Sequence, residues 1–309
     1  MKYIRNFSAH TDYEAEMSKI PTPSVSYCRK EDELHFMPSN VIMFKVGDLN
    51  GNTNQTVRVL YNEGGSETIP ITEGNKWYVV NIPSGDGVGK IYYSGELEEI
   101  IMSCKISKKN YYLSMVPENT KAISFISCDI SDTYLSRFFR DCKKIRTLDL
   151  SGWDFSNVTS LEEMFSGCSN LETLTVGNWD TSKVTGVFSM FAGCSKLKSI
   201  NCTNFRLANI KNLAQVFGGC STLQFLDLSG WDISNVTQTY NMFSDCQNLK
   251  TLSLSGWDMT KATNMTNMFY NCGKLNTIYM RNCNQTTIDK IKAQLETDGI
   301  LNNVTIITE

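Results

Sequence analysis

The chain has 309 residues, of which 41% are hydrophobic, and this apolar content is enough for sizeable cores. Its 29 basic and 32 acidic residues give a formal net charge of -3 and are mixed along the sequence. Because there is no basic run, we expect no binding to nucleic acid or to an anionic membrane surface. No segment approaches the roughly 20 consecutive apolar residues that cross a bilayer, so membrane insertion is not expected either.

Residues 1–38 form the first segment. It begins MKYIRNFSAHTDYEAE, with charges where a secretory signal peptide has its apolar region, so we expect no such signal. A stretch long enough for one or two helical turns precedes a proline-containing segment, PTPSVSYC. We interpret residues 1–38 as an N-terminal attachment module.

Residues 39–118 consist of short runs in which apolar and polar residues alternate, among them VIMFKV, TVRVLY and WYVVNIP. Clusters of Gly, Asn, Asp and Pro separate these runs. The pattern predicts a small all-β domain, either a sandwich or a barrel-like fold. A segment at 85–89, GDGVG, resembles a phosphate-binding loop only superficially. It lies between two predicted strands without a following Lys-Ser/Thr pair, so a hairpin is favoured.

A 26-residue repeat occupies residues 119–283, and its first copy is degenerate. The element Phe-x-x-Cys recurs six times without an insertion. Its cysteines form one column: Cys142, Cys168, Cys194, Cys220, Cys246 and Cys272. Aromatic residues form a second column: Trp153, Trp179, Phe205, Trp231 and Trp257. A fixed period of this length is typical of a solenoid, in which each coil packs only on its neighbours.

Each column cysteine is followed by a Leu-x-x-Leu-x-Leu run or a close variant, the strand signature of leucine-rich repeats. The period of two at its end directs alternate residues inward and outward, and stacked copies predict a parallel sheet. The outward residues are the candidate binding face: Thr147, Asp149, Thr173, Thr175, Ser199, Asn201, Phe225, Asp227, Thr251, Ser253, Thr277 and Tyr279. Aromatic residues are over-represented among binding hot spots, so Phe225 and Tyr279 are the foremost candidates. The alternative is that this face is only solvated.

The segment that returns to the next strand has apolar residues three and four apart, and Thr159 followed by Glu162 matches a capping box. We therefore predict a short helix in each repeat, with Thr185, Thr237 and Thr263 at the equivalent cap position.

We expect the aspartates that follow the column tryptophans to accept hydrogen bonds from the backbone amides of their own turn. We do not expect them to bind calcium, since one carboxylate per coil is too few ligands for that ion. Residues 284–309 are predicted to form a C-terminal cap, a helix followed by a strand. The predicted fold class is an α/β leucine-rich-repeat solenoid, a parallel sheet plus short helices, preceded by a small all-β domain.

We find no catalytic pattern. The two histidines, His10 and His35, lie in the first segment, and no nucleophile motif accompanies them. Cysteines 26 residues apart lie at equivalent points of successive coils and not around one tetrahedral centre. We expect no enzyme activity, no metal and no cofactor, and we interpret the column cysteines as reduced packing residues.

The repeats LDLSGWDFSNVTSLEEMFSGCSNLETL and LDLSGWDISNVTQTYNMFSDCQNLKTL closely resemble the BspA-like leucine-rich repeats of bacterial surface proteins. The third repeat departs from the pattern, with Asn204-Phe205-Arg206 in place of Gly-Trp-Asp. Members of that family are mostly surface-exposed adhesion proteins. The resemblance therefore implies non-enzymatic binding to a host surface protein, a glycan or a neighbouring cell.

The opening segment, MKYIRNFSAHTDYEAEMSKIPTPSVSYCRKEDELHF, resembles the N-terminal modules of virion and tail-fibre proteins from Bacteroides-infecting phages, including crAss-like phages. This resemblance implies a virion or fibre component that is assembled in the host cytoplasm. Its N-terminal half would bind other virion proteins or form a homo-oligomer, and its repeats would face outward. Two alternatives remain open: a purely structural virion protein whose repeats pack on other subunits, and a bacterial cell-surface adhesin.

Overall fold

The computed structural model describes residues 25–30, 33–38, 41–47, 49, 55–61, 65–74, 76–83, 87–93, 95, 97–103, 105–106, 116–125, 134–177 and 179–309. Most of the predicted attachment module lies outside these residues. The chain divides into two compact units, Met1–Asp132 and Thr133–Glu309. In the part of the chain that the structure describes, no helix has the length and apolar character needed to cross a bilayer.

The described residues of the first unit form ten strands. They are β1 (Val25–Lys30), β2 (Glu33–Pro38), β3 (Val41–Val46), β4 (Gln55–Tyr61), β5 (Ser66–Ile71), β6 (Trp77–Asn81), β7 (Gly87–Tyr92), β8 (Leu97–Ser103), β9 (Lys105–Ile106) and β10 (Thr120–Phe125). Their sheet orders are β1-β2, β10-β8-β3-β6 and β5-β4-β7-β9. In β4 the alternation places Val57 and Val59 in the core and Arg58 in solvent, as a half-buried strand requires.

The hairpin predicted around residues 85–89 is wrong. Strand β6 ends before this segment and β7 begins within it at Gly87, but β6 pairs with β3 and β7 pairs with β4. The two strands belong to different sheets. A glycine-rich turn signal does not distinguish a hairpin from a connection between sheets, because the partner of each strand is set by distant residues.

The second unit is a repeat solenoid of the leucine-rich-repeat kind. Its described strands are β11 (Thr147–Asp149), β12 (Thr173–Thr175), β13 (Phe225–Asp227), β14 (Thr251–Ser253), β15 (Thr277–Tyr279) and β16 (Thr305–Ile307). Parallel pairing joins β11 to β12, and joins β13, β14, β15 and β16 in that order. Leu226 lies opposite Leu252, which lies opposite Ile278, so each coil advances by one 26-residue period. The irregular third coil joins β12 only through a bridge between Thr173 and Ser199.

The short helix predicted in each repeat is wrong. The described repeat residues, 134–177 and 179–283, contain turns in the return segments and no helix. The backbone amides there bond to the next coil: Glu163 N donates to Phe188 O at 2.8 Å, and Phe165 N donates to Met190 O at 2.9 Å. An α-helix needs those donors for carbonyls four residues back, so the two arrangements exclude each other.

Residues in the left-handed backbone region also break the helical path of the return segment. One column with positive φ directly precedes the column cysteines: Asp141, Gly167, Gly193, Gly219, Asp245 and Asn271. A second column lies four residues earlier: Arg137, Glu163, Ser189, Gln215, Asn241 and Asn267. A right-handed helix cannot include such residues. Each return segment is therefore a series of turns that follows the neighbouring coil.

The threonines predicted to cap these helices have another role. Thr185 Oγ1 donates to Thr159 O at 3.2 Å, and Thr263 Oγ1 donates to Thr237 O at the same distance. Each hydroxyl thus binds the coil before its own. The threonine column stabilises the stack of coils and caps no helix.

Two aromatic columns fill the interior of the solenoid. The phenylalanines of the Phe-x-x-Cys elements stack, with ring centroids 5.5 Å apart between Phe165 and Phe191 and between Phe191 and Phe217. In the other column, Trp231 stacks on Phe205 at 6.3 Å, and its Nε1 donates to Cys202 O at 2.8 Å. Each ring contacts the coils next to its own, so the core runs the length of the stack.

The C-terminal end of the solenoid is covered by helix α1 (Gln285–Thr297) and by β16. Side chains replace the backbone partners that a further coil would supply. Phe269 N donates to Asp298 Oδ2 at 2.9 Å, whereas Phe243 N, one coil earlier, donates to Met268 O. Lys290 Nζ donates to three carbonyl oxygens of the last coil, those of Met259, Thr260 and Ala262, at 2.7 to 3.0 Å.

Candidate functional site

The candidate binding face consists of two columns of side chains on the outer side of the parallel strands. All twelve predicted positions are exposed or half-buried, while the intervening Leu148, Leu174, Leu226, Leu252 and Ile278 are buried. Strands β11 and β12 bring four of the positions together, and β13, β14 and β15 bring together six. Ser199 and Asn201 lie between these two groups, outside any regular strand.

Phe225 is the most exposed large apolar side chain among the described residues, with 62% of its surface accessible. It lies in β13 directly opposite Thr251 of β14. Its chain neighbour Leu226 is only 4% exposed, so the pleat of the strand fixes which side chain faces solvent. The structure thus presents one phenyl ring beside the small polar side chain of Thr251.

Asp227, two residues further along β13, shares the face with Phe225. Its Oδ1 accepts a hydrogen bond from Ser229 N at 3.0 Å. Partial burial raises the pKa of Asp227, but hydrogen bonds from Ser229 and Ser253 lower it by more, so the pKa lies below its ordinary value. The side chain is therefore an oriented carboxylate at neutral pH.

Tyr279 is less accessible than Phe225. The guanidinium carbon of Arg281 lies 5.6 Å from the centroid of its ring, which is cation–π distance. Arg281 Nε also donates to Glu309 O at 2.8 Å. One face of the Tyr279 ring is thus already in contact, and the sequence analysis named Tyr279 without Arg281. Spacing along the chain places Arg281 on the side of Tyr279 but does not specify that the guanidinium packs on the ring.

The aspartates that follow the column tryptophans close turns, as predicted. Asp154 Oδ1 accepts from Ser156 N at 2.9 Å, and Asp258 Oδ1 accepts from Thr260 N at 2.9 Å. Over the residues that the structure describes, no three His, Cys, Asp or Glu side chains gather as a metal site. His10 lies outside the described residues, and nothing is described of the His35 side chain.

The column cysteines lie in the interior of the solenoid. Cys168 Sγ donates to Phe139 O at 2.9 Å, and Cys220 Sγ donates to Phe191 O at 3.2 Å. The same contact recurs at Cys194, Cys246 and Cys272. Each thiol therefore binds the coil before its own.

We expect the column thiols to resist alkylation in the native protein. Burial raises the pKa of Cys220 and Cys272 to about 12, and only the thiolate is nucleophilic. With iodoacetamide at pH 8, peptide mass spectrometry should find the column unlabelled while Cys283, which is only half-buried, is labelled. Denatured protein should be labelled at all of them. Native labelling of the column, or disulfides within it, would contradict the packing role.

A family model described as "Mycoplasma protein of unknown function, DUF285" matches residues 133–251 and residues 189–303. Together the two matches cover more than half of the 309 residues. The chain belongs to the DUF285 family. The matched part of this DUF285 chain includes strands β11 to β15 and helix α1.

Among solved structures, a leucine-rich repeat protein from Bacteroides ovatus ATCC 8483 aligns with 94% of this DUF285 chain and 76% of its own length. The identity is 13% and the TM-score is 0.26. None of the curated proteins compared with the chain matches it. The in-register coils support the BspA-like leucine-rich-repeat assignment. The resemblance of the first segment to phage virion proteins stays a prediction.

Proposed function

We propose that the chain is a non-enzymatic binding protein, a component of a phage virion or fibre, whose repeats present the sheet face to a host surface. The observation that supports this function best is the exposure of Phe225 within that face. Covering a phenyl side chain on binding contributes about 1 to 2 kcal/mol. The first unit, Met1–Asp132, would attach the protein to its neighbours.

The internal contacts of the solenoid indicate which surface is available for recognition. The inward positions are filled by the aromatic and cysteine columns. The amides of the return segments are engaged with neighbouring coils. The sheet face differs, because the side chains of Phe225, Thr173 and Thr175 project from it into solvent. Solenoids commonly use such a surface for partners.

Two alternative functions each have a supporting observation. The small polar character of most face positions also suits a purely structural virion protein whose repeats pack on other subunits. The family match, to proteins described as mycoplasmal, also suits a bacterial cell-surface adhesin.

Mass spectrometry of purified phage particles and of surface-labelled cells would distinguish a virion component from a cell-surface protein. We expect the chain in the particles, and its presence only among surface-labelled cellular proteins would contradict the virion assignment.

The binding function is tested with the full chain on intact candidate host cells, beginning with Bacteroides. We expect Phe225→Ala to weaken binding by about tenfold or more, as the loss of an anchor residue does. The matched control is Tyr270→Ala, since Tyr270 is 54% exposed but lies outside the sheet face. Equal binding by the two variants, or absence of binding by the unaltered chain, would contradict the proposal.

A further inference from the structure

Phe225 belongs to a cluster of four side chains on two neighbouring strands. Strand β13 contributes Phe225 and Asp227, and β14 contributes their register partners Thr251 and Ser253. Neighbouring strands lie about 4.8 Å apart, and residues on one face of a strand lie about 6.6 Å apart. The four side chains therefore stand at the corners of an area comparable with one sugar ring.

We propose that this cluster is a subsite for one ring of an uncharged glycan, a proposal that rests on the binding function of the sheet face. Phe225, with 62% of its surface exposed, supplies the stacking platform. The face of an aromatic ring carries the negative part of its quadrupole, so it attracts the C–H groups on the less polar face of a pyranose.

The polar corners of the cluster complement sugar hydroxyls. The Asp227 carboxylate is held through Oδ1 by the Ser229 amide, and a carboxylate has about four lone-pair sites. It can therefore accept from sugar hydroxyls as well, and such charge-assisted bonds are about twice as strong as neutral ones. The half-buried Thr251 hydroxyl can donate or accept, and the half-buried Ser253 hydroxyl, which donates to Asp227, can still accept.

The charge of the face selects against anionic ligands. Asp149 and Asp227 are its charged members, and none of the twelve positions is Lys or Arg. A phosphate, sulfate or uronate group bound at the cluster would lie near the Asp227 carboxylate, and none of the four cluster positions is a Lys or Arg that could balance its charge, which is unfavourable. The face therefore suits a neutral sugar rather than an acidic polysaccharide.

A protein partner fits this surface less well. The cores of protein interfaces are depleted of charge and contain several aromatic and aliphatic side chains. Of the twelve face positions, Phe225 and Tyr279 are the aromatic ones, and the Tyr279 ring already contacts Arg281. One available ring among hydroxyls, amides and carboxylates matches the alternating surface of a sugar better than an apolar protein patch.

The first experiment measures binding of the full chain to intact Bacteroides cells after mild periodate or after protease. Periodate cleaves vicinal diols of sugars and leaves most proteins on the cell. We expect periodate to reduce binding at least tenfold, whether or not protease also reduces it. Loss with protease but not with periodate would overturn the glycan subsite and leave the binding function intact. Absence of binding to untreated cells would overturn both.

The second experiment uses the polysaccharide fraction of the same cells, immobilised, as the probe. The affinity of Phe225→Ala should fall about tenfold or more, and that of Asp227→Asn about threefold to tenfold, since the amide keeps the turn but loses charge-assisted bonds. Asp232→Asn is the matched control, because Asp232 Oδ1 likewise accepts from Ser234 N but Asp232 is an exposed residue outside the sheet face. Equal loss for the two aspartate variants, or no binding by the unaltered chain, would overturn the subsite.

Discussion

Replacing Trp231 with alanine should lower the free energy of unfolding by about 3 to 5 kcal/mol, the usual cost of truncating a large buried aromatic residue. The Trp231 side chain is 3% exposed. Its ring centroid lies 6.0 Å from that of Phe217, which belongs to the other aromatic column of the core. Its removal leaves a cavity and takes the indole donor from Cys202 O. Because solenoid stability depends on interfaces between neighbouring coils, the coils on both sides should loosen.

Urea denaturation of the full chain measures this effect. The matched control is Lys250→Ala, a surface change in the coil that follows Trp231, which should alter the free energy of unfolding by less than about 0.5 kcal/mol. If the two variants unfolded at the same urea concentration, Trp231 would not be part of the core.

Asp298→Ala should destabilise the C-terminal end by about 1 to 3 kcal/mol, the cost of leaving a buried donor without its acceptor. The donor is the amide of Phe269, whose side chain is fully buried. Amide hydrogen exchange at Phe269 should become faster, and exchange at Phe165, in the interior of the stack, should not change. Asp298→Asn keeps an acceptor oxygen, so its free energy of unfolding should lie between that of the unaltered chain and that of Asp298→Ala.

The matched control for the cap is Asp289→Ala, in helix α1, which ends one residue before Asp298. Asp289 is exposed, and its Oδ1 accepts only a surface hydrogen bond from Gln285 Nε2 at 2.7 Å among the bonds described for it. This change removes the same charge without exposing an amide of the last coil. Equal destabilisation by Asp289→Ala and Asp298→Ala would show that charge, and not replacement of the missing coil, explains the effect.

The 26-residue period was sufficient to predict which residues lie side by side in the solenoid. Cysteines at a constant interval require coils of constant length, so Leu226, Leu252 and Ile278 come into register. The period of two within each strand then separates Phe225 from Leu226. Both inferences depend only on spacing along the chain, which the sequence contains in full.

The return segments show why apolar spacing alone misled the prediction of helices. Leu161, Met164 and Phe165 are all buried, and their spacing of three and four matches one face of a helix. A series of turns with left-handed residues at two positions, such as Glu163 and Gly167, directs the same residues inward. The overlooked signal was the position before each column cysteine, where Gly, Asp and Asn alone occur, the residue types that tolerate positive φ.

The contacts around the candidate site depend on the placement of individual side chains. The exposure of Phe225 follows from the alternation of the strand, but its 62% value depends on the small size of its neighbours. The Arg281 guanidinium over Tyr279 requires one particular rotamer of a long side chain, which spacing does not specify. The sequence therefore locates the face, and the structure ranks Phe225 above Tyr279 within it.

The most direct test of the binding face is photo-crosslinking from single positions of the full chain on intact Bacteroides cells. A benzophenone-bearing amino acid would replace Phe225 in one protein and Tyr270 in the other, two exposed aromatic positions of the same solenoid. We predict crosslinks to the cell surface from position 225 and none from position 270. Crosslinks from position 270, or none from position 225 while the chain stays bound, would contradict recognition by the sheet face.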